Sequence, residues 1–255
     1  MNFTNQGKGC VFLNANQLKF FMMGLMVLDH ISFFVSDTTS IIFHIITRCV
    51  GVFFAYMIVE GFFHTRNRTK YLTRLAGAAA IMAIGNSLLN LWITESTIHA
   101  HNNIFLTLTV GLFLLIVVNW IKEVPILAFK IGGILFVLAL LAGGAVFTEG
   151  GNVVLPFILI TYFTYKKVLL RDACYLLFSL LLLFTSYQWM GDWSNTLLML
   201  GMNSDFAFIS VVPFLHLYNG EKGKNTTFSK YAFYLFYPLH LWVITIISKL
   251  MVMNG

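Results

Sequence analysis

Apolar runs of about twenty residues, parted by short polar segments, follow one another from Leu18 to Val252, and a chain built this way has few ways to fold. The hydrocarbon core of a bilayer is about 30 Å thick, which a helix of roughly 20 residues crosses. Inside it every backbone N–H and C=O needs a partner, and only helices and closed β-barrels supply one throughout. A barrel requires short strands that alternate apolar and polar side chains, whereas these runs are long and continuous. The sequence therefore predicts an all-α polytopic membrane bundle, one domain over residues 1–255. Composition excludes the soluble alternative. Hydrophobic residues make up 58% of the chain and charged ones 10%, at a mean hydropathy of +0.81, which leaves too little polar surface to coat a soluble domain.

Nine spans are read from the pattern, over residues 18–36, 40–64, 71–94, 103–122, 125–148, 151–166, 172–191, 194–217 and 230–252. With the amino terminus in the cytoplasm, fourteen of the sixteen Lys and Arg residues fall on the inner side, and the opposite loops carry Asp37, Glu95, Glu149 and Asp192 with no cation. This is the segregation of the positive-inside rule, and it predicts a multi-pass protein of the plasma or inner membrane. The two exceptions are Lys249, placed to snorkel near an outer end, and Arg48, inside the second span. The net charge of +6 is spread over these loops rather than gathered in one patch, so no nucleic-acid partner is expected. Cys10, Cys49 and Cys174 suggest neither a disulfide framework nor a thiolate metal site. The first 17 residues lack the apolar core of a removable signal peptide. Gly132-Gly133 and Gly143-Gly144 read as sites of close helix packing.

Ionisable residues inside the spans carry the functional argument, because each costs several kcal/mol in hydrocarbon and is placed there for a reason. Lys19 and His30 are eleven residues apart on the first apolar helix, so His30 stands about 16 Å above the basic end. His240 lies ten residues beyond inner-side Lys230, at about 15 Å. Arg48 and Asp205, counted inward from the outer ends of their spans, reach the same level. Four such groups at one depth point to a shared polar cavity, although each has a plainer reading as a packed histidine or a structural ion pair. Asp29 is about 100° round the helix from His30, poorly placed to orient that imidazole and better placed to pair with Arg48.

Near the inner face, Glu60 and His64 precede a cluster of cations, Arg66, Arg68, Lys70 and Arg74. Topology alone explains them. Arg forks also bind phosphate oxygens, which makes the loop a candidate clamp for a coenzyme A thioester. His44, His99 and His101 read as outer-face residues. His99-Ala100-His101 has the donors but not the number for a metal site, and no metal is expected.

Several of these stretches together resemble the TraX family of conjugal-transfer pilin-acetylation proteins and, more distantly, the wider transmembrane acyltransferases. The points of likeness are Lys19-x10-His30 with Leu28-Asp29-His30, Arg48 leading to Val59-Glu60-Gly61-Phe62 and His64-Thr65-Arg66-Asn67, and Asn103-Ile104-Phe105. Toward the end come Tyr218-Asn219-Gly220-Glu221-Lys222-Gly223 and Tyr234-Leu235-Phe236-Tyr237-Pro238-Leu239-His240. The resemblance implies an acyltransferase that takes an acyl group, most simply acetyl, from cytosolic acetyl-CoA to a peptide, glycan or lipid acceptor. It implies that His30 is the catalytic histidine, and it puts Lys19 where the wider group has a basic motif residue tied to the donor. Arg48 or His240 would then steady an oxyanion, with Asp29 in the same catalytic group and Glu60, His64, Asp205 and Tyr237 expected to complete the polar cavity. Two other classes fit buried charge at one depth: a proton-coupled transporter of small solutes and a b-type cytochrome ligated by His30 and His240.

Overall fold

The computed structural model describes residues 12–93, 99–224 and 226–254, with the side chains of 253 and 254 outside that description. Lys8, Cys10 and Glu95 lie outside the described residues. Ten α-helices follow one another: α1 Ala15–His30, α2 Asp37–His64, α3 Arg68–Trp92, α4 Ile104–Glu123, α5 Leu127–Phe147, α6 Gly151–Phe163, α7 Val168–Ser186, α8 Trp193–Met202, α9 Val211–Leu217 and α10 Thr227–Asn254. Short 3-10 turns at Ser32–Phe34 and Ser204–Ser210 join α1 to α2 and α8 to α9.

The helix starts are written into the sequence as amide and hydroxyl caps. Asn14 and Gln17 form a reciprocal capping box at α1. Ser36, Asn67, Asn103 and Asp192 accept from first-turn N–H groups of α2, α3, α4 and α8, which satisfies donors that the helix itself leaves open.

Helix α2, 28 residues long, is the axis of the bundle. Nearly every side chain from Cys49 to Val59 is buried, as expected of a helix surrounded on all sides. It packs against α1, α4, α6, α8 and the 204–217 segment, while α5 and α7 lie outside with large apolar faces exposed. Those faces are unsuited to water and suited to lipid.

Six helices, α2, α3, α4, α5, α7 and α10, are long and apolar enough to cross a membrane, and a seventh is counted if α8 and the 204–217 segment form one span bent by 64°. The chain is thus an all-helical, multi-pass membrane protein. The nine-span reading differs from this in three places. The first helix does not run to Ser36 but stops at His30, sixteen residues long, because Ser36 starts a new helix. Helix α6 has 13 residues and contains Pro156. The 194–217 span breaks at Asn203, where α8 ends and the 3-10 turn Ser204–Ser210 begins. Of the four glycines read as packing sites, Gly133 and Gly144 do press against Ile121 and Leu155, while Gly132 and Gly143 face open space.

Candidate active site

The carboxylate of Asp29, next to last in α1, organises the polar centre. Its Oδ2 accepts from Arg48 Nη2 at 2.9 Å, and its Oδ1 accepts from Thr47 Oγ1 at 2.9 Å and lies 3.1 Å from His44 Nδ1. Arg48 Nε donates to the His44 carbonyl at 3.1 Å. Arg48 Nη1 faces Asp205 Oδ1 at 3.6 Å, and Asp205 Oδ2 accepts from Asn152 at 3.1 Å. The break in the 194–217 segment is what brings Asp205 in, as its 3-10 turn is tied to α7 by Ser179 donating to the Phe206 carbonyl. The Asp29–Arg48 pair read from the sequence is therefore present. His44, read from the sequence only as a residue near the outer face, is part of this cluster, one turn before Arg48 on α2.

The rings of His30 and His240 meet at a tilt, centroids 5.4 Å apart with 52° between planes. They are fifteen and thirteen residues from the first residues of their helices, which is why the two arrive at one level. His240 Nδ1 lies 2.9 Å from the Phe236 carbonyl, and since a carbonyl only accepts, that nitrogen carries the proton. Its Nε2 is buried and makes no hydrogen bond among the described residues. The direct ring contact leaves no gap for a macrocycle to stand between the pair.

Two cavities adjoin His30. A central one of about 120 Å³ is lined by Asp29, His30, Arg48, Glu149, Asp205 and Tyr237 with apolar walls from Val52, Val154 and Phe208. A wider one of about 430 Å³ opens at the end of the bundle where α1 stops, lined by Asp29, His30, Asp37, Asn86, His99, His101 and Asn102. Among the described residues, only Asp29 and His30 border both. His99 and His101 thus line the wide cavity, and no group of residues that could hold a metal ion occurs among the described residues.

Glu149 escaped the sequence reading, which counted it as a loop carboxylate. Tyr237 donates to its Oε2 at 2.8 Å and Asn102 to its Oε1 at 2.9 Å, while the Ile104 N–H donates to the Tyr237 oxygen at 3.2 Å. The clue was Glu149-Gly150-Gly151 between two apolar runs: Gly150 takes a left-handed φ of 61° and turns the chain so tightly that the carboxylate points inward.

The basic residues stay at the other end. From Arg48 to His64, α2 runs sixteen residues, about 24 Å, so the loop that follows is not brought to the histidines. Arg68 covers the Phe62 ring at 4.0 Å and Arg74 Nε donates to Tyr234 at 3.3 Å, while Arg66 and Lys70 are exposed. Glu60 lies 3.5 Å from both His64 Nδ1 and the Tyr165 hydroxyl. Lys19 is half-buried beside Lys222. That corner is held by a backbone strap in which Leu13 N donates to Leu217 O, Asn219 N to Leu13 O and Ala15 N to Glu221 O, all within 3.0 Å. The Tyr218–Gly223 motif is thus the clasp on the start of α1.

Fold and site together define a multi-pass membrane protein with two histidines and a shared Asp–Arg pair at a buried polar centre reached by two cavities. A family model described as TraX protein matches residues 14–248. The chain belongs to the TraX family. It is 28% identical over 243 residues to a protein of Dichelobacter nodosus named "Probable fimbrial assembly protein FimC, serogroup H1", the match covering 89% of this chain and 93% of that relative. No solved structure matches.

Proposed function

We propose that this chain is a membrane acyltransferase of pilus or fimbrial assembly that moves an acetyl group from cytosolic acetyl-CoA to an acceptor arriving from the opposite face, the terminal amine of a pilin-like peptide. One observation carries the reading: His30 borders both the central cavity and the wide one, so a single imidazole reaches two substrates that enter separately. In the proposed topology the amino terminus is cytoplasmic and nine segments, with α1 and α6 short, alternate across the plasma or inner membrane. Contacts between helix ends support the alternation. Leu13 with Asn219 and Glu60 with Tyr165 meet at one end, and Lys249 with Trp92 and Asn102 with Glu149 at the other.

In the reaction the acceptor nitrogen attacks the thioester carbonyl carbon, forming the C–N bond as an electron pair moves onto oxygen. Neutral His30 takes the proton from nitrogen. Arg48, whose Nη1 is 3.6 Å from Asp205 and not in a close bond, supplies the positive charge for that oxyanion, and Asp29 keeps the guanidinium in place. On collapse the C–S bond breaks and the thiolate leaves with the proton held on His30. His240 acts through its ring contact by positioning His30, and Lys19 with the 64–74 cations draws the anionic donor toward the inner face.

Transfer from labelled acetyl-CoA to an acceptor peptide, with purified protein in lipid nanodiscs, tests this. His30→Ala should lower the rate by about 10²–10⁴, the range for loss of a general base, with membrane insertion unchanged. His240→Ala should also be slow and the double variant no slower than the worse single, as for residues that act as one unit. Absence of acyl-CoA binding by wild type, with His30→Ala indistinguishable from wild type in cells, overturns the proposal. The break at Asp205 favours one second reading, a proton-coupled transporter, since interrupted helices with buried carboxylates mark carrier sites. Solute uptake into proteoliposomes without any acyl-CoA would select it.

A further inference from the structure

A third cavity, of about 100 Å³, lies at the inner end of the bundle between α2, α6 and α7, bordered by Tyr56, Glu60, Tyr165, Lys166, Lys167 and Arg171. Positive-inside topology asks only for cations in water near the membrane face. It does not ask for Arg171, one turn into α7, to be 7% exposed. That guanidinium spends one edge on Asp172, with Nε and Nη2 at 2.9 and 2.8 Å from Oδ1, and Nη1 makes no hydrogen bond among the described residues. Asp172 is shared in turn with His216 Nε2 at 2.7 Å. Lys166 takes a left-handed φ of 65°, a conformation uncommon for a lysine, at the turn that sets it beside Lys167 on the cavity rim. Helix α7 begins there with no side-chain cap, so its first-turn N–H groups and dipole add to the cations. Three positive side chains stand against two carboxylates, Asp172, which Arg171 already shares with His216, and Glu60 on the cavity wall, which the Tyr165 hydroxyl approaches.

We propose that this cavity binds a phosphate ester, with Arg171 as its buried ligand and Lys166 and Lys167 on its rim. The assignment of the ester to the nucleotide end of the acyl donor rests on the acyltransferase reading above; the phosphate chemistry does not. Arg48, Val52, Tyr56 and Glu60 recur every fourth residue and form a stripe that winds about 120° round α2, the first two bordering the central cavity and the last two this one. From Arg48 to Glu60 is twelve residues, about 18 Å. A donor held by its phosphates at Arg171 lays its acyl arm along that stripe toward His30.

The test measures binding of adenosine 3′,5′-bisphosphate to wild type, Lys166→Gln/Lys167→Gln and Arg171→Gln in phosphatidylcholine nanodiscs, and retention of phosphatidylglycerol by the same proteins in native mass spectrometry. The lysine pair is exposed, so its replacement leaves folding intact even if loss of Arg171 does not. The nucleotide should bind wild type and bind the lysine double variant at least tenfold more weakly. Phosphatidylglycerol retained by wild type and lost from the double variant, with no nucleotide binding, supports the phosphate site and assigns it to lipid headgroups. Nucleotide and lipid binding both unchanged in the lysine variant overturn it. Lysine-dependent nucleotide binding without any acetyl transfer would keep the site and sink the acyltransferase. Acetyl transfer with unaltered donor affinity in every folded variant would do the reverse.

Discussion

Asp29 and Arg48 show what a charge pair does when it is half removed from water. Each is about four-fifths shielded, with side chains 21% and 23% exposed, and each has the other as its closest ionic partner. Asp29→Asn and Arg48→Met should each destabilise the protein, by less than the roughly 3–5 kcal/mol of an uncompensated buried charge, because Asp205 still faces Arg48 and Thr47 and His44 still reach Asp29. The double variant should lose less than the two together, because the pair is in direct contact. Unfolding of the four proteins in mixed micelles measures the cycle, and strict additivity would mean that the ion pair contributes nothing as a pair. Both residues were legible in the sequence, since a charge inside an apolar run has few innocent explanations. His44 and Glu149 were not. Each sits at the edge of a run, where hydropathy assigns it to water, and only the tertiary fold turns it inward.

At the scale of elements the starts of helices were easy to read and the stops were not. Asn14, Ser36, Asn67 and Asn103 are visible caps, but nothing local ends α1 at His30, because Ile31, Phe33, Phe34 and Val35 continue the apolar pattern. The stop follows from Asp29 being bound to α2 and from the cap at Ser36. The strap on α1 gives a prediction that ordinary helix rules would miss. Proline is normally welcome at the first position of a helix, yet Ala15 N–H donates to the Glu221 carbonyl at 2.8 Å. Ala15→Pro should therefore loosen residues 217–224 from the start of α1 by about 1 kcal/mol, the net worth of one hydrogen bond. Amide exchange across 217–224 should rise in the variant, and unchanged protection would show that the strap is held by side chains instead.

For the whole molecule, the pairing of helix ends puts residues 64–67 and the last turn of α10 at opposite ends of the bundle, which the proposed topology sets on opposite faces of the membrane. Reporter domains fused after Asn67 and after Gly255 should report cytoplasm and exterior respectively. If both read cytoplasmic, one short segment fails to cross and the common level of His30 and His240 needs another origin. The charge pattern predicts this orientation from sequence, and the brief sixth run with Pro156 already marks α6 as short, whereas no periodicity shows that α1 stops after sixteen residues.

The early end of α1 also bears on the electric field. In the proposed orientation the wide cavity admits outside water down to His30, and the insulating layer beneath it is the stretch from Lys19 to His30, about 16 Å against the usual 30 Å. A membrane voltage falls where the dielectric is low, so nearly all of it is focused between the inner face and that imidazole. Each elementary charge that crosses the full drop exchanges about 2.3 kcal/mol per 100 mV. If the chain is the acyltransferase proposed above, the neutral acetyl group would pass that layer at no electrical cost, while the ionic end of the donor would stay on the inner side.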